Sequence, residues 1–422
     1  MMSNTEPQLI DISRLKIGLF VHLDLGWMDH PFPLNSFKIR SQEQIDIIHS
    51  LGLTHVRYFP EKSELSPAPE SLTPAVPVAA NIETKISETS LRRELLAQQR
   101  ASLQACERQF ALASQSYRHV METVYAQPKV SYVHTETLIK SLLGEILGEE
   151  EAAIRLLSEK AGDKSSLHPI NVTIISLLLG KACGLSKPEM LDLGIGGLLH
   201  DIGKIELPDR LRWHDEQCTS AERQLYQEHV AHGVKLGQKM DLSSDALLII
   251  GQHHEHADGT GYPKRINAEK MSRLSKIITI VNRYDNLCNP GNPALAITPH
   301  EALAQMFAQS KSQFYTATLT QFVHMMGIYP PGSVVQLTDE RFALVVSVNS
   351  ARPIKPKVII YNPDIPCDEA LIINLETENL GIRRSLKPQQ LTKAAFDYLS
   401  PRKRLCYFFE RSREIVPNDP AT

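Results

Sequence analysis

The stretch Leu198-Leu199-His200-Asp201-Ile202-Gly203-Lys204 decides how this chain is read. An apolar run ends in an adjacent histidine and aspartate, a glycine turn follows, and then a lysine. Further on stand His253-His254-Glu255 and the loop Asp258-Gly259-Thr260-Gly261-Tyr262-Pro263. A lone histidine on an apolar helix is usually a satisfied core residue. Here His168, His200, His229, His253 and His254 share one helical region, two of them adjacent and one beside Asp201. Neutral imidazole with a carboxylate suits iron, manganese, zinc or cobalt. Asp201 is the natural bridging ligand, since one carboxylate can hold two cations. Paired metals ~3.5–4 Å apart clamp a phosphoryl group and the attacking hydroxide. Lys204, one turn beyond, stands where an ammonium stabilises charge developing on phosphate oxygens.

Around this stretch the chain reads as helical from 128 to 329. Ser186-Lys187-Pro188-Glu189 is a capping box that opens the helix ending at His200. Thr219-Ser220-Ala221-Glu222 caps the helix bearing His229, and Ser243-Ser244-Asp245 opens the one ending at His253-His254. Residues 168–183 form a very apolar helix. Residues 272–287 form another, with Asn282 and Asp285 one turn apart, and Thr298-Pro299-His300-Glu301 caps one more. Short turns between them predict a compact bundle, and no fixed-period repeat is present.

The flanks are different. Residues 10–58 mix a strand pattern at 17–23, a helix opened by Ser41 and a closing strand at 54–58, with Trp27 and Pro31-Phe32-Pro33 as packing anchors. Pro60, Pro67, Pro69, Pro74 and Pro77 mark a linker. Residues 82–126 lack Pro and Gly and have a strong helix composition. That helix either docks on the next domain or, less favoured by its irregular apolar stripe, pairs two copies as a homodimer. After Pro330-Pro331-Gly332 come three strand patterns, at 334–337, 342–348 and 357–361, and then a polar tail. Its basic residues Arg383, Arg384, Lys387, Arg402, Lys403 and Arg404 read as a solvated face. The expected fold is mainly α: an all-helical bundle between a small α+β N-terminal module and a small β-rich C-terminal one. The boundaries expected are 1–60, a linker 61–81, a helical domain 82–329, and 330–422.

Composition narrows the function. A net charge of -3 over 422 residues carries no basic footprint for nucleic acid. The six cysteines are scattered without a C-x-x-C pair, as in a reducing compartment. No signal-like start and no run of ~18 apolar residues is present, so no membrane span is expected and the cytoplasm is the expected compartment.

His200-Asp201 with His168 upstream resembles the HD superfamily of metal-dependent phosphohydrolases. Together with His253-His254-Glu255 and the Gly261-Tyr262-Pro263 loop, it resembles the HD-GYP subfamily, over about 168–287. Residues 10–60 are similar to the small accessory domain of unknown function that often precedes HD-GYP domains. The resemblance implies hydrolysis of cyclic di-GMP to pGpG and GMP, with two divalent ions, iron or manganese. It implies His168, His200, Asp201, His229, His253, His254 and Asn282 as metal ligands. Asp201 and Lys204 would be catalytic, and Lys204, Gly261, Tyr262, Pro263 and Asp285 would contact substrate. A diguanylate cyclase or another signalling protein is the implied partner. His232 and His256 are read as non-ligands.

Two departures stand out. Lys164 occupies the position of a glutamate found in members with three metals, which favours two. Asn282 replaces the usual aspartate ligand, with Asp285 the nearest carboxylate to compensate, and the arginine-containing segment that usually follows gives way to Cys288-Asn289-Pro290-Gly291. These keep two alternatives in view: an impaired receptor that binds cyclic di-GMP or a partner without turnover, and a phosphohydrolase for another nucleotide.

Overall fold

The computed structural model describes residues 8–23, 36–39, 41–51, 53, 55–60, 63, 80–148, 152–159, 164–212, 219–349, 355–378 and 380–411. Trp27, the Pro31-Phe32-Pro33 turn, most of the proline-rich linker and the side chain of Lys164 lie outside them. The chain forms two compact units, 1–84 and 85–422.

The first unit holds β1 (Gln8–Asp11), β2 (Phe20–His22), β3 (Ser36–Lys38), α1 (Gln42–Ser50) and β4 (His55–Tyr58). The strands form an antiparallel sheet in the order β1-β4-β2-β3. Val21 and Val56 on the strands share a small core with Ile45 and Ile48 of α1. β1 has no counterpart in the sequence reading, because four residues give too short a pattern to register.

The second unit opens within α2 (Ala80–Thr123) and continues with α3 (Pro128–Ile146), β5 (Ala152–Leu156) and α4 (Lys164–Ala182). Then follow α5 (Lys187–Leu199), α6 (Asp209–Arg212), α7 (Ser220–Met240), α8 (Ser244–Gln252) and α9 (Arg273–Cys288). α10 (Pro299–Ala308) and α11 (Thr316–Met326) complete the bundle. α4 lies at its centre. Almost every residue from Leu167 to Leu179 is buried, so the helix is apolar all round rather than striped. Each fully buried Leu or Ile there contributes ~1.5–3 kcal/mol relative to exposure.

The expected caps form. The Ser186 N–H donates to Glu189 at 2.8 Å, and Thr219 and Thr298 each exchange hydrogen bonds with the glutamate three residues on. Ser243 accepts from the Ala246 N–H and Ser272 from the Ser275 N–H. The caps of α5, α7 and α8 start the helices that end at, or carry, His200, His229 and His253.

One strand interrupts the stretch expected to be wholly helical. β5 is buried along its whole length, so it has no polar-apolar alternation for a sequence reading to detect. It belongs to a sheet built mostly from the C-terminal module: β6 (Val334–Leu337), β7 (Phe342–Asn349), β8 (Lys357–Ile360), β9 (Ile372–Asn374), β10 (Ile382–Leu386) and β11 (Tyr407–Arg411), with α12 (Lys393–Leu399) before the last strand. The order is β10-β6-β7-β5-β11, with β8 on β7 and β9 on β8. β5 is thus held between β7 and β11, with Leu156 opposite Tyr407. Leu405, Cys406, Tyr407, Phe408 and Phe409 are buried in the same core as α4 and α9. The C-terminal module is therefore part of the second unit's main core.

Candidate metal centre

The motif residues occupy helix ends and turns. His200 is the C-cap of α5, and Asp201 starts the tight turn Ile202–Glu206. His253 is the C-cap of α8 and His254 follows it, while His229 lies within α7 and His168 near the start of α4. Glycine is required at 203: a Cβ there would collide with the carbonyl oxygen of His229, so the turn can approach α7 only without a side chain.

Among the described residues, two ligand groups share Asp201. One is His168, His200 and Asp201; the other is Asp201, His229, His253 and His254. The Nε2 atoms of His168 and His200 lie 3.6 and 3.4 Å from Asp201 Oδ2. Those of His229 and His253 lie 3.4 and 3.5 Å from Oδ1. Each carboxylate oxygen therefore faces one pair of rings.

The protons are set by local geometry. His200, His229 and His253 each donate Nδ1–H to the carbonyl three residues earlier, of Gly197, Tyr226 and Ile250, at 2.7, 2.6 and 2.8 Å. A carbonyl only accepts, so Nδ1 carries the hydrogen and Nε2 presents a lone pair. His168 donates Nδ1–H to Asp285 Oδ2 at 2.6 Å. The lone pairs meet: the Nε2 atoms of His168 and His200 are 3.2 Å apart, as are those of His229 and His253. Asp201 Oδ1 and His254 Nε2 are buried with no hydrogen-bond partner. Converging lone pairs and orphaned acceptors around one carboxylate are repulsive alone and are satisfied by cations, so the residues present fit a metal pair.

Charge states agree with that. Burial pushes His200 down to about 4 and His229 to about 3, and burial also takes His254 well below its ordinary value. All three are neutral at pH 7, the form that ligates. Burial would raise Asp201, but Lys204 and the surrounding imidazoles outweigh it and hold the carboxylate ionised well below the usual range. Lys204 Nζ is 2.6 Å from Asp201 Oδ2. Burial opposes its charge, yet Asp201 keeps it protonated above the usual lysine value.

The centre opens into a cavity of about 1160 Å³ lined in part by His168, Asp201, Lys204, His253, His254 and Tyr262. Tyr262 stacks on His254 with ring centroids 4.5 Å apart. Of the three loop residues expected at the substrate, only Tyr262 lines the cavity. Gly261 is buried against backbone, where a Cβ would strike the His254 carbonyl, and Pro263 is exposed outside the cavity. Glu255 holds the loop from behind, its carboxylate accepting from the Lys264 and Ile266 N–H groups at 2.6 and 3.1 Å.

Asp285 also needs correction. It is fully buried, contacts the back of His168 and does not line the cavity, so the structure does not place it where substrate was expected. Asn282 does line the cavity, and its Oδ1 accepts from Asn286 Nδ2 at 2.8 Å. Arg404, read as part of a solvated face, lines the cavity together with Arg118, Arg210, Arg212, Arg223 and Arg283. These arginines come from α2, α6, α7, α9 and the approach to β11, and no local motif joins them. His232 and His256 belong to neither ligand group.

Fold and site define a class: a helical bundle in which two adjoining histidine groups share one aspartate and could hold divalent metal ions, beside an arginine-lined cavity. Residues 147–319 match a family described as an HD domain, and residues 8–135 match a family described only as a domain of unknown function, DUF3391. The chain is 25% identical over 360 residues, 83% of its length, to cyclic di-GMP phosphodiesterase PA4108 of Pseudomonas aeruginosa, and covers 84% of that protein. It is 23% identical over 229 residues to cyclic di-GMP phosphodiesterase PdeB of Borreliella burgdorferi, spanning 53% of this chain and 60% of that one. Among solved structures, Bd1817, an HDG"Y"P protein from Bdellovibrio bacteriovorus, aligns at 16% identity and TM-score 0.44 over 75% of this chain and 98% of that one. No helix among the described residues is long and apolar enough to cross a membrane.

Proposed function

We propose that this protein is a metal-dependent phosphodiesterase that hydrolyses cyclic di-GMP to pGpG and GMP. The observation that carries the proposal is Asp201, whose two oxygens each face a separate pair of lone-pair-bearing imidazoles. His168, His200 and Asp201 would hold one divalent ion, and Asp201, His229, His253 and His254 the second; iron and manganese suit this mixed nitrogen and oxygen set. When bound, the ions supply Lewis-acid polarisation of the phosphodiester and lower the pKa of water.

The chain's own groups do the rest. Lys204, fixed beside Asp201 and facing the cavity, neutralises charge on the phosphate oxygens. Arg283 and Arg404 supply cations where the sequence lacks the usual arginine segment, and the cavity has room for a dinucleotide with two phosphates. Tyr262 offers a ring beside His254 for stacking a base. Relatives named for cyclic di-GMP, one of them aligned over most of both chains, support that substrate.

The test is chromatography of products from full-length protein, reduced and loaded with manganese or iron, given cyclic di-GMP. Formation of pGpG and GMP is expected, with turnover abolished in His200→Ala and Asp201→Ala. No product from metal-replete protein that still binds the dinucleotide would leave a receptor in its place. Faster cleavage of 3',3'-cGAMP in the same assay would move the substrate assignment, since a relative 29% identical over 139 residues is named for that nucleotide.

A further inference from the structure

Behind His168 runs a chain of hydrogen bonds that leaves the helical bundle and ends in the C-terminal sheet. His168 is held by Asp285 Oδ2, while Asp285 Oδ1 accepts from Nδ2 of Asn171 at 2.8 Å and of Asn289 at 2.9 Å. Both amides are in turn gripped by one short piece of backbone. Asn171 Nδ2 also donates to the Leu405 carbonyl at 2.8 Å, and its Oδ1 accepts the Tyr407 N–H at 2.9 Å. Asn289 Nδ2 also donates to the Leu405 carbonyl at 3.0 Å, and its Oδ1 accepts the Leu405 N–H at 2.8 Å. Each Nδ2 thus uses one hydrogen on Asp285 and one on Leu405, so neither amide can turn over without losing both. Asn171 and Tyr407 are fully buried, and Leu405 nearly so.

Among the described residues, the other ligand group shows no such chain of bonds to distant backbone. His229 and His253 are oriented by carbonyls of their own helices. His200 also uses its own helix, so His168 is the ligand whose orientation depends on distant chain.

We infer that segment 405–407 belongs to the positioning apparatus of His168, acting through Asn171, Asn289 and Asp285, and that the C-terminal sheet thereby governs filling of the cation position formed by His168, His200 and Asp201. The position formed with His229, His253 and His254 meets it only at the shared Asp201. This rests on the metal reading above. A group bonded directly to a ligand, as Asp285 is to His168, typically changes metal affinity by roughly 10–100-fold, which is the upper bound for Asn171 and Asn289 acting through it. Because the coupling is reciprocal, filling that position must also steady segment 405–407.

The experiment titrates metal-stripped full-length protein with manganese alone, by calorimetry with elemental analysis. The wild type is expected to bind in two steps. Asn289→Ala, at a partly exposed residue, and Asn171→Ala should each weaken one step by up to roughly 10–100-fold and leave the other unchanged. Hydrogen exchange on the wild type needs no variant: manganese should slow exchange of the Leu405 and Tyr407 amides. In Asn289→Ala that protection should shrink. Two unchanged steps, equal weakening of both in a variant with native circular dichroism, or exchange at 405–407 indifferent to bound manganese would each overturn the inference. A wild type that takes up no manganese overturns the metal reading itself.

Discussion

His200 and His253 show how a helix end sets a tautomer. The last carbonyls of a helix lack intrahelical partners, and a histidine at the C-cap can satisfy one with Nδ1–H. The same bond turns Nε2 outward as a lone pair. Gly203 acts at this scale too, by admitting the turn against the His229 carbonyl. Gly203→Ala should displace one or the other; a shift near 1 Å at a catalytic centre costs about 100-fold in rate. Manganese content and kcat, measured together, check it: both should fall. Lys204→Ala should keep its metal and lose about 10²–10³ in kcat, the scale of removing one preorganised stabilising group. Full metal with unchanged kcat would remove Lys204 from the chemistry. The histidines and Asp201 were legible because adjacency and helix ends are local features of a sequence. The side that Asp285 faces was not, since spacing along α9 puts it one turn from Asn282 without saying which wall of the helix meets His168.

The loop after α8 is held by Glu255, a fully buried carboxylate accepting two backbone N–H groups. Removing it strands those donors, at ~1–3 kcal/mol apiece. Glu255→Ala should therefore lower the melting temperature and free Tyr262 from its stack on His254. Steady-state kinetics should show KM rising more than kcat falls, with metal content unchanged, because no ligand is carried by the loop beyond His254. A KM equal to that of the wild type would mean that Tyr262 does not meet the substrate. The caps of α5, α7, α8, α9 and α10 were legible from Ser or Thr before each apolar run. β5 was not, for its partners β7 and β11 lie far along the chain.

Over the whole molecule, the candidate ligands come from α4, from the ends of α5 and α8, from α7 and from the turn after α5, all in the second unit. Cations bound there stabilise that unit, by about 2.7 kcal/mol once free metal reaches a hundred times Kd. A chelator should lower its melting temperature by several degrees and raise hydrogen exchange across the bundle. Peptides from 8–60 should be unmoved, as no residue there joins either ligand group. Equal loosening of both units would contradict the assignment of the ions to this bundle. The arginines of the cavity were invisible as a set, because only the packing of α2, α6, α7, α9 and residue 404 gathers them.

The pairing of β5 with β11 has a consequence for synthesis. Leu156 and Tyr407 face each other across 251 residues of sequence. At ordinary rates of translation, roughly 12–50 s pass between their emergence from the ribosome. In that interval a strand with two open edges waits for partners, a natural point for chaperones to engage. His229, His253 and His254 all leave the ribosome before segment 405–407, so the brace behind His168 is the last part of this centre to be made.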